Sequence, residues 1–421
     1  MTGHGTIAAR NAIEALRAGV PNRAAIQLLG TNEAGLTDDF LDRLRQCGVA
    51  LADDRQAEGI AVAGGFGSGK SHQLGYFAVL AQQEHFIVSL VPISKETPLF
   101  DSTRLFAAAI RSAVVPGAND DVMTAVMSRL RPNSDRYQAL EQWTTSEVQN
   151  GRLSALFAAL LHLIPRRTTD PDDHARMARF FGGGKLNVTV AKGWLRDAGA
   201  GKLFDLKPVR EAELALQRIY FAPRLFRAAG YPGWCVLLDE VELIGRYSPL
   251  QRGRSYAELV RWMGLDKEEQ IPGVMTVAAI TDDFAEEMFH RRRDDELIPP
   301  RLKDRGLLRQ AEMAAKGIAW LERRPSQLKP PDEAGLRQSL DKISRFYRDA
   351  YEWNPPQTEL GERLAGKSMR QYVKSWITTW DVERLYGETP SIEVDTIPID
   401  YTESPDMEQA PTASGEDDAE A

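Results

Sequence analysis

Compact apolar runs alternate along this chain with longer stretches whose apolar residues recur at helical spacing. Residues 5–18 read as a short helix ending at Gly19, with Val20-Pro21-Asn22 as a turn. Over 35–48 the apolar positions Leu36, Phe40, Leu41 and Leu44 fall at helical spacing. Gly59-Ile60-Ala61-Val62-Ala63 is a compact apolar run broken by Gly64-Gly65, the pattern of a buried strand entering a loop. Residues 70–84 are helical again, and Phe86–Ile93 is a second strand, so this stretch predicts a βαβ unit.

From about 100 to 230 the pattern is mostly helical, with polar breaks near 116–120, 131–135 and 166–174. Strands return at 234–238 and 273–280, and a weaker one is expected at Gly317-Ile318-Ala319-Trp320-Leu321. Residues 332–352 and 368–386 read as helices. The expected fold class is α/β: a parallel sheet flanked by helices over 1–325 with a helical insertion at about 100–230, a helical lid over 326–387, and an acidic tail over 388–421 with too little apolar surface to fold.

At about 150 residues per domain, 421 residues predict two or three domains. Hydrophobic residues make up 43%, charged 27% and aromatic 8%, which excludes a disordered chain, a collagen-like repeat and a disulfide scaffold. No apolar run approaches the ~18 residues that cross a bilayer, and no signal-peptide core opens the chain, so a cytoplasmic protein with no membrane contact is expected. Cys47 and Cys235 fit no metal or redox spacing. The net charge of −8 is localised: ten carboxylates and no Lys or Arg follow Ser391, leaving +2 for the remainder. Bulk charge therefore does not argue for a nucleic-acid binder, and it leaves room for a local basic patch.

The chemistry concentrates at Gly64-Gly65-Phe66-Gly67-Ser68-Gly69-Lys70-Ser71, which fits G-x-x-x-x-G-K-[ST] between a predicted strand and helix. Its glycines let backbone N–H groups turn inward onto phosphate oxygens at the positive end of a helix. Lys70 is expected, exposed in the empty loop, to span the β- and γ-phosphates of ATP, Ser71 to ligate Mg²⁺, and His72 to follow on the same turn. Gly182-Gly183-Gly184-Lys185 lacks the spacing and the hydroxyl and reads as a loop. The strand Trp234–Leu238 runs into Asp239-Glu240, which should emerge at the carboxyl edge of the sheet beside the phosphate loop. There Asp239 suits the Mg²⁺ shell and Glu240 the attacking water, while Glu242 is assigned a structural ion pair. The long gap from Ser71 to Asp239 houses the insertion, where partner-specific surfaces tend to sit.

Further positions are similar to those of AAA+ ATPases. Thr281, at the tip of the 273–280 strand, fits a sensor of the γ-phosphate, although a hydroxyl capping the next helix explains it nearly as well. Arg301, with Arg305 second, lies ahead of the expected fifth strand, where a guanidinium reaching into a neighbour's site would make activity the property of a homo-oligomer. Arg291, Arg292 and Arg293 read as a solvated patch neutralised by nearby acids. Arg370, near the start of the 368–386 helix, is a candidate lid sensor or an ordinary surface arginine. Lys95-Glu96-Thr97-Pro98 follows a strand: Thr97 and Pro98 suit a helix start, and Lys95 or Glu96 could couple nucleotide state to a partner.

Together "EALRAGVPNRAAIQLLG", "GGFGSGKSHQL", "VSLVPISKETPLFD", "WCVLLDEVELI" and "RFYRDAYEW" resemble the BREX-system P-loop ATP-binding proteins over residues 7–385, with a length closest to the short kind. The resemblance implies an AAA+-like fold related to origin-recognition ATPases, a role in bacterial phage defence, and partners that include a helicase and a DNA methyltransferase, with DNA reached through them. No winged-helix module follows the lid, and the acidic tail lies outside the family pattern. Three functions remain open: an Mg²⁺-dependent ATPase switch acting in an assembly on DNA, an ATP-gated scaffold with little hydrolysis, and a P-loop kinase of a small molecule.

Overall fold

The apolar runs assemble into one sheet. The computed structural model describes residues 3–19, 23–50, 54–166, 170–323, 325–329, 332–358 and 368–387, so the acidic tail lies outside the described residues. Three helices, α1 (Gly3–Ala18), α2 (Arg23–Leu29) and α3 (Ala34–Ala50), precede β1 (Ile60–Ala63), α4 (Lys70–Gln83) and β2 (Ile87–Pro92). Seven helices follow: α5 (Ser102–Arg111), α6 (Val122–Arg129), α7 (Asp135–Gln149), α8 (Ala155–Leu163), α9 (Pro171–Phe181), α10 (Val188–Asp197) and α11 (Glu211–Ala228). Then come β3 (Trp234–Asp239), α12 (Pro249–Trp262), β4 (Val274–Ile280), α13 (Asp294–Asp304), α14 (Leu308–Arg323), β5 (Ser326–Gln327), α15 (Glu333–Tyr351) and α16 (Met369–Tyr386).

Among the described residues the sheet has five parallel strands in the order β2-β3-β4-β1-β5. β1 and β2 are thus not neighbours, as a simple βαβ unit would make them; β3 and β4 are inserted between them, and α4 carries the chain across both. The expected strand at 317–321 is the last part of α14, and the fifth strand is the two-residue β5 beyond it. The apolar positions Ala311, Ala314, Ile318 and Leu321 lie on one face of that helix and are buried.

Each strand contributes to two cores, because side chains alternate across a sheet. Trp234, Val236 and Leu238 join the larger cluster with the helices of 102–228, while Cys235 and Leu237 face α3 and α4. On the latter side Phe40 and Phe77 stack at 4.1 Å. Trp234 pins the larger side: its indole N–H donates to Ser89 Oγ at 2.8 Å, and Ser89 in turn donates to the Ala109 carbonyl of α5 at 2.6 Å. Phe106, Phe226 and Trp262 meet its ring edge-on.

A third cluster joins distant parts of the chain. Ala9 and Ile13 of α1 pack with Ile343 and Tyr347 of α15 and with Trp376 and Trp380 of α16. Arg17 donates to both carboxylate oxygens of Asp381, at 2.8 and 2.9 Å, and Tyr347 donates to the same carboxylate at 2.7 Å.

Below the sheet, α12 and α13 share a buried ion pair. Arg252 grips Asp294 through two hydrogen bonds of 2.9 and 2.8 Å, and Tyr256 donates to Asp294 at 2.9 Å. Asp294 is 1% exposed, so removing the guanidinium strands a buried carboxylate. Arg252→Ala should lower stability by about 3–5 kcal/mol in chemical denaturation. A loss within ~1 kcal/mol would show that the pair does not hold α13 in place.

Candidate nucleotide site

The phosphate loop occupies the carboxyl end of β1, as the strand–loop–helix pattern requires. Its first residue is tied to the neighbouring strand, Gly64 N–H donating to Ile280 O at 3.2 Å. Two glycines are obligatory for backbone reasons. Gly69 stands before α4 at φ 104, a left-handed conformation that carries no side chain to cap the helix. The first N–H groups of α4 therefore have no intrahelical acceptor beside the cavity. Gly67 has φ 75, and a Cβ there would come within 2.7 Å of Ser368 Oγ, so the loop tip and the start of α16 are in direct contact. Ser368 itself caps α16 in a reciprocal box with Gln371.

The loop, the end of β3 and the start of α16 enclose a cavity of about 500 Å³, within the range of small-ligand sites. Phe66, Gly67, Ser68, Gly69, Lys70, Ser71 and His72 line it, together with Asp239, Glu240 and Arg370. Lys70 is not exposed as expected. It is 9% exposed, and its ammonium donates to the carbonyls of Gly64 (2.7 Å) and Gly65 (3.2 Å), its own loop serving as the acceptor. Phe66 is 59% exposed at the loop tip, and the Arg370 guanidinium lies over its ring at 5.4 Å.

Asp239 closes β3, with Pro92 as its partner on β2, and accepts from the Glu240 N–H at 2.9 Å. Glu240 takes the left-handed conformation at φ 56. Burial pushes its carboxyl above the ordinary range and Asp239 adds to the effect, while Lys70 and Arg370 oppose it. Glu242 departs from the structural ion pair assigned to it. Among the described residues its carboxylate has no ionic partner; it is 7% exposed and lines the same cavity, and its Oε2 accepts no hydrogen bond. Burial raises it to about 7.

His72 lines the cavity and turns its ring toward the connection between α2 and α3. Its Nε2 lies 2.7 Å from the Gly30 carbonyl, which can only accept, so this nitrogen carries the proton; burial holds the ring pKa below its usual value. Thr31 donates to Gln73 at 2.6 Å one residue on. The connection between α2 and α3 is thereby fastened to the first turn of α4. It is also fastened to α15, since Lys342 donates to the Leu29 carbonyl at 2.6 Å. The far wall of the cavity is apolar, formed by Leu16, Ile26, Leu29, Met369 and Val373. Sequence reasoning missed this wall and Glu242. Of the "EALRAGVPN" segment, Leu16 and Gly19 line the cavity, while Val20-Pro21-Asn22 lie outside the described residues.

The other candidates lie outside the cavity. Thr281 is 2% exposed at the end of β4 and does not line it. Arg301 is exposed on α13 with no ion pair among the described residues; Arg305 is exposed as well, and α14 separates both from β5. Arg291 pairs with Glu286 and Glu287, Arg292 with Glu287, and Arg293 with Glu296. Thr97 and Pro98 do not begin a helix: α5 starts at Ser102 under an Asp101 cap, and 94–97 forms a turn closed by Ser94.

A family model for the BREX system ATP-binding protein BrxC/D matches residues 6–127 and 209–373. The chain belongs to this family. No curated protein and no solved structure matches it. ATP binding is what the family is named for, and the cavity suits a triphosphate nucleotide in two ways: a helix N-terminus without a side-chain cap beside a lysine, and a buried Ser68 Oγ with no hydrogen-bond partner among the described residues. For Mg²⁺ the Ser71 hydroxyl and Asp239 carboxylate are hard oxygen donors of the right type. Among the described residues no group of three or more His, Cys, Asp or Glu could cage a metal without the nucleotide. No helix among them is long and apolar enough to cross a membrane.

Glu242 gives this site a pH signature. Its carboxyl ionises near 4.5 in the unfolded chain and near 7 in the folded one, so the folded state binds the extra proton between those values. Stability of the nucleotide-free protein should fall as pH rises across that window. Glu242→Gln lacks the penalty: its advantage over the parent should be absent below pH ~4.5 and reach on the order of 1–3 kcal/mol above pH ~7. Parallel melting curves for parent and variant across the window would reject the assignment.

Proposed function

We propose that the chain is an Mg²⁺-dependent ATPase of AAA+ type that works as a nucleotide switch in a BREX phage-defence assembly acting on DNA. The observation that carries the reading is the shared cavity: Lys70 and the start of α4 on one side, Asp239 and Glu240 on the other, at the carboxyl edge of one parallel sheet. The residues divide the work by chemistry. Backbone N–H groups of 66, 67 and 69–71 cradle the phosphates, those of Gly64 and Ser68 being bonded within the fold, and Lys70 leaves its loop carbonyls to take the β- and γ-oxygens. Ser71 and Asp239 would hold Mg²⁺, which would supply neutralisation of the phosphate charge. Glu240, its carboxyl raised by burial, orients the attacking water and accepts its proton. Arg370 moves from the Phe66 ring to the phosphates, and the apolar wall of α1, α2 and α16 receives the base. In this reading β4 neighbours the Asp-Glu strand, so Thr281 takes the sensor position, and Arg301 serves a neighbouring subunit. A helicase and a methyltransferase are the expected partners, reached through the insertion and the lid.

The contact of Gly67 with Ser368 favours a second reading, in which a lid already closed on the loop makes the protein an ATP-gated scaffold with slow turnover. Glu240→Gln separates the two. In a switch that hydrolyses, nucleotide binding should survive and phosphate release should fall by two or more orders of magnitude, about 3 kcal/mol of barrier. Release within twofold of the parent would leave the scaffold reading standing. Lys70→Ala should abolish binding of a fluorescent ATP analogue.

Arg301 acting in trans predicts complementation. Arg301→Ala and Lys70→Ala subunits, each inactive alone, should regain hydrolysis when mixed, at interfaces joining an intact loop to an intact arginine. An Arg301→Ala protein with the parental rate would remove Arg301 from the site.

A further inference from the structure

A buried donor at the cavity wall has no acceptor. Gln73 of α4 is 3% exposed and lines the cavity, yet its Nε2 is closed to water and has no hydrogen-bond partner among the described residues. The other end of the amide is fixed. Thr31 accepts from the Glu33 N–H at 3.1 Å and donates its hydroxyl proton to Gln73 Oε1 at 2.6 Å. That proton aims the amide oxygen at Thr31 and leaves the NH₂ group over. Buried amides are nearly always paired, so an orphaned donor on a cavity wall marks a place for an acceptor that the protein does not supply.

A matching acceptor stands on the same turn. Glu33 lines the cavity, and one of its carboxylate oxygens takes the Lys329 N–H at 2.8 Å, which leaves the second to accept from a ligand. Lys329 comes just after β5, and the preceding Leu328 N–H donates to the Ala63 carbonyl at 2.8 Å. The Glu33 carboxylate is thereby moored to the sheet edge from which the phosphate loop leaves. Thr31 joins the two groups, since its hydroxyl touches both the Gln73 amide and the Glu33 backbone.

The position of this pair follows the order of groups in a nucleotide. On α4 the helix N-terminus and Lys70 come first, and Gln73 lies about one turn further along. On the connection between α2 and α3, Leu29 of the apolar wall comes two residues before Thr31. The donor is thus bounded by the phosphate end on one side and by the apolar wall on the other.

Building on the nucleotide reading of this cavity, we infer that Gln73 and Glu33 bind the ribose hydroxyls and make the site selective for ribonucleotides over nucleotides whose sugar lacks them. The sugar is the only part of a nucleotide that must lie between phosphate and base. A hydroxyl accepts and donates at once: its oxygen takes the Gln73 N–H, and its proton goes to Glu33. A carboxylate on a ribose hydroxyl is also how many dinucleotide sites hold the sugar. A phosphate is repelled there by the Glu33 charge. When the hydroxyls are missing, the bound state keeps a buried amide unpaired, and that cost is the source of the selectivity.

The test uses the full chain and a diphosphate pair, which has no γ-phosphate to lose during the measurement. Calorimetric titration of the parent with ADP and with 2′,3′-dideoxy-ADP should show ADP binding at least about fivefold tighter. Gln73→Met keeps the length of the side chain and removes the donor. Its ADP affinity should fall to the dideoxy level, while its dideoxy-ADP affinity stays within about twofold of the parent. Glu33→Ala, on a partly exposed turn, should shrink the same preference and repeats the test should Gln73→Met disturb folding. A merely structural Gln73 would move the melting temperature and leave the ratio of the two affinities alone. Equal binding of both ligands by the parent would overturn the inference and leave the nucleotide reading standing, whereas binding of neither would overturn both. Two other results also remove it: a parental ratio in both variants, or a Gln73→Met protein that loses both ligands equally, which would give the amide to packing or to the base edge.

Discussion

A parallel sheet buried on both faces has no room for charge except at its ends. β3 is buried along its whole length, and β1 and β4 likewise, so the first carboxylates the chain can place after Leu238 are at the carboxyl edge. The parallel register sends β1 out at the same edge, and Gly64 is tied there to Ile280. Everything polar in the cavity follows from this confinement. A lysine and three acids meet because the sheet excludes them from everywhere else, and the low-dielectric walls then raise the Glu240 and Glu242 carboxyls.

The cavity has a second origin in the helices outside the sheet. Its phosphate side is built by the sheet edge, while its apolar side is built by α1, α2 and α16. These halves meet at Gly67 against Ser368, at Phe66 under Arg370, at His72 and Gln73 against the 30–31 turn, and where Ile26 of α2 packs on Gly75 of α4. A ligand that bridges both halves would add free energy to the closed arrangement in proportion to its preference for it.

Much of this was legible in the chain. The buried strands stood out as unbroken apolar runs, and the Gly64–Ser71 loop and Asp239-Glu240, singled out by residue type and position, are brought by the fold to one cavity. The failures have physical causes. Gly317–Leu321 looked like a strand because five residues are too short a window to separate the two periods; the helix emerges only with Ala311 and Ala314 included. β5 is two polar residues and owes its place to the Val62 and Ala63 partners, so no local pattern marks it. Among the described residues Glu242 lacks the ionic partner that local charge suggested, because the fold turns it into the cavity beside Asp239 and Glu240 rather than toward a surface cation. The apolar wall is a meeting of segments hundreds of residues apart, which hydrophobic periodicity cannot pair.

The pairing of α1 with α15 and α16 carries a consequence for how the protein is made. Arg17 and Asp381 are 364 positions apart, so α1 waits for α16 to be synthesised before its apolar face is fully covered. At about 5–20 residues per second, that wait is tens of seconds, during which Ile13 and its neighbours are exposed to chaperones and to other nascent chains. The same wait applies to the cavity, whose apolar wall cannot close until α16 has emerged. A chain terminated before α16 would carry the whole loop of residues 64–71 and still lack Met369, Arg370 and Val373 of its pocket.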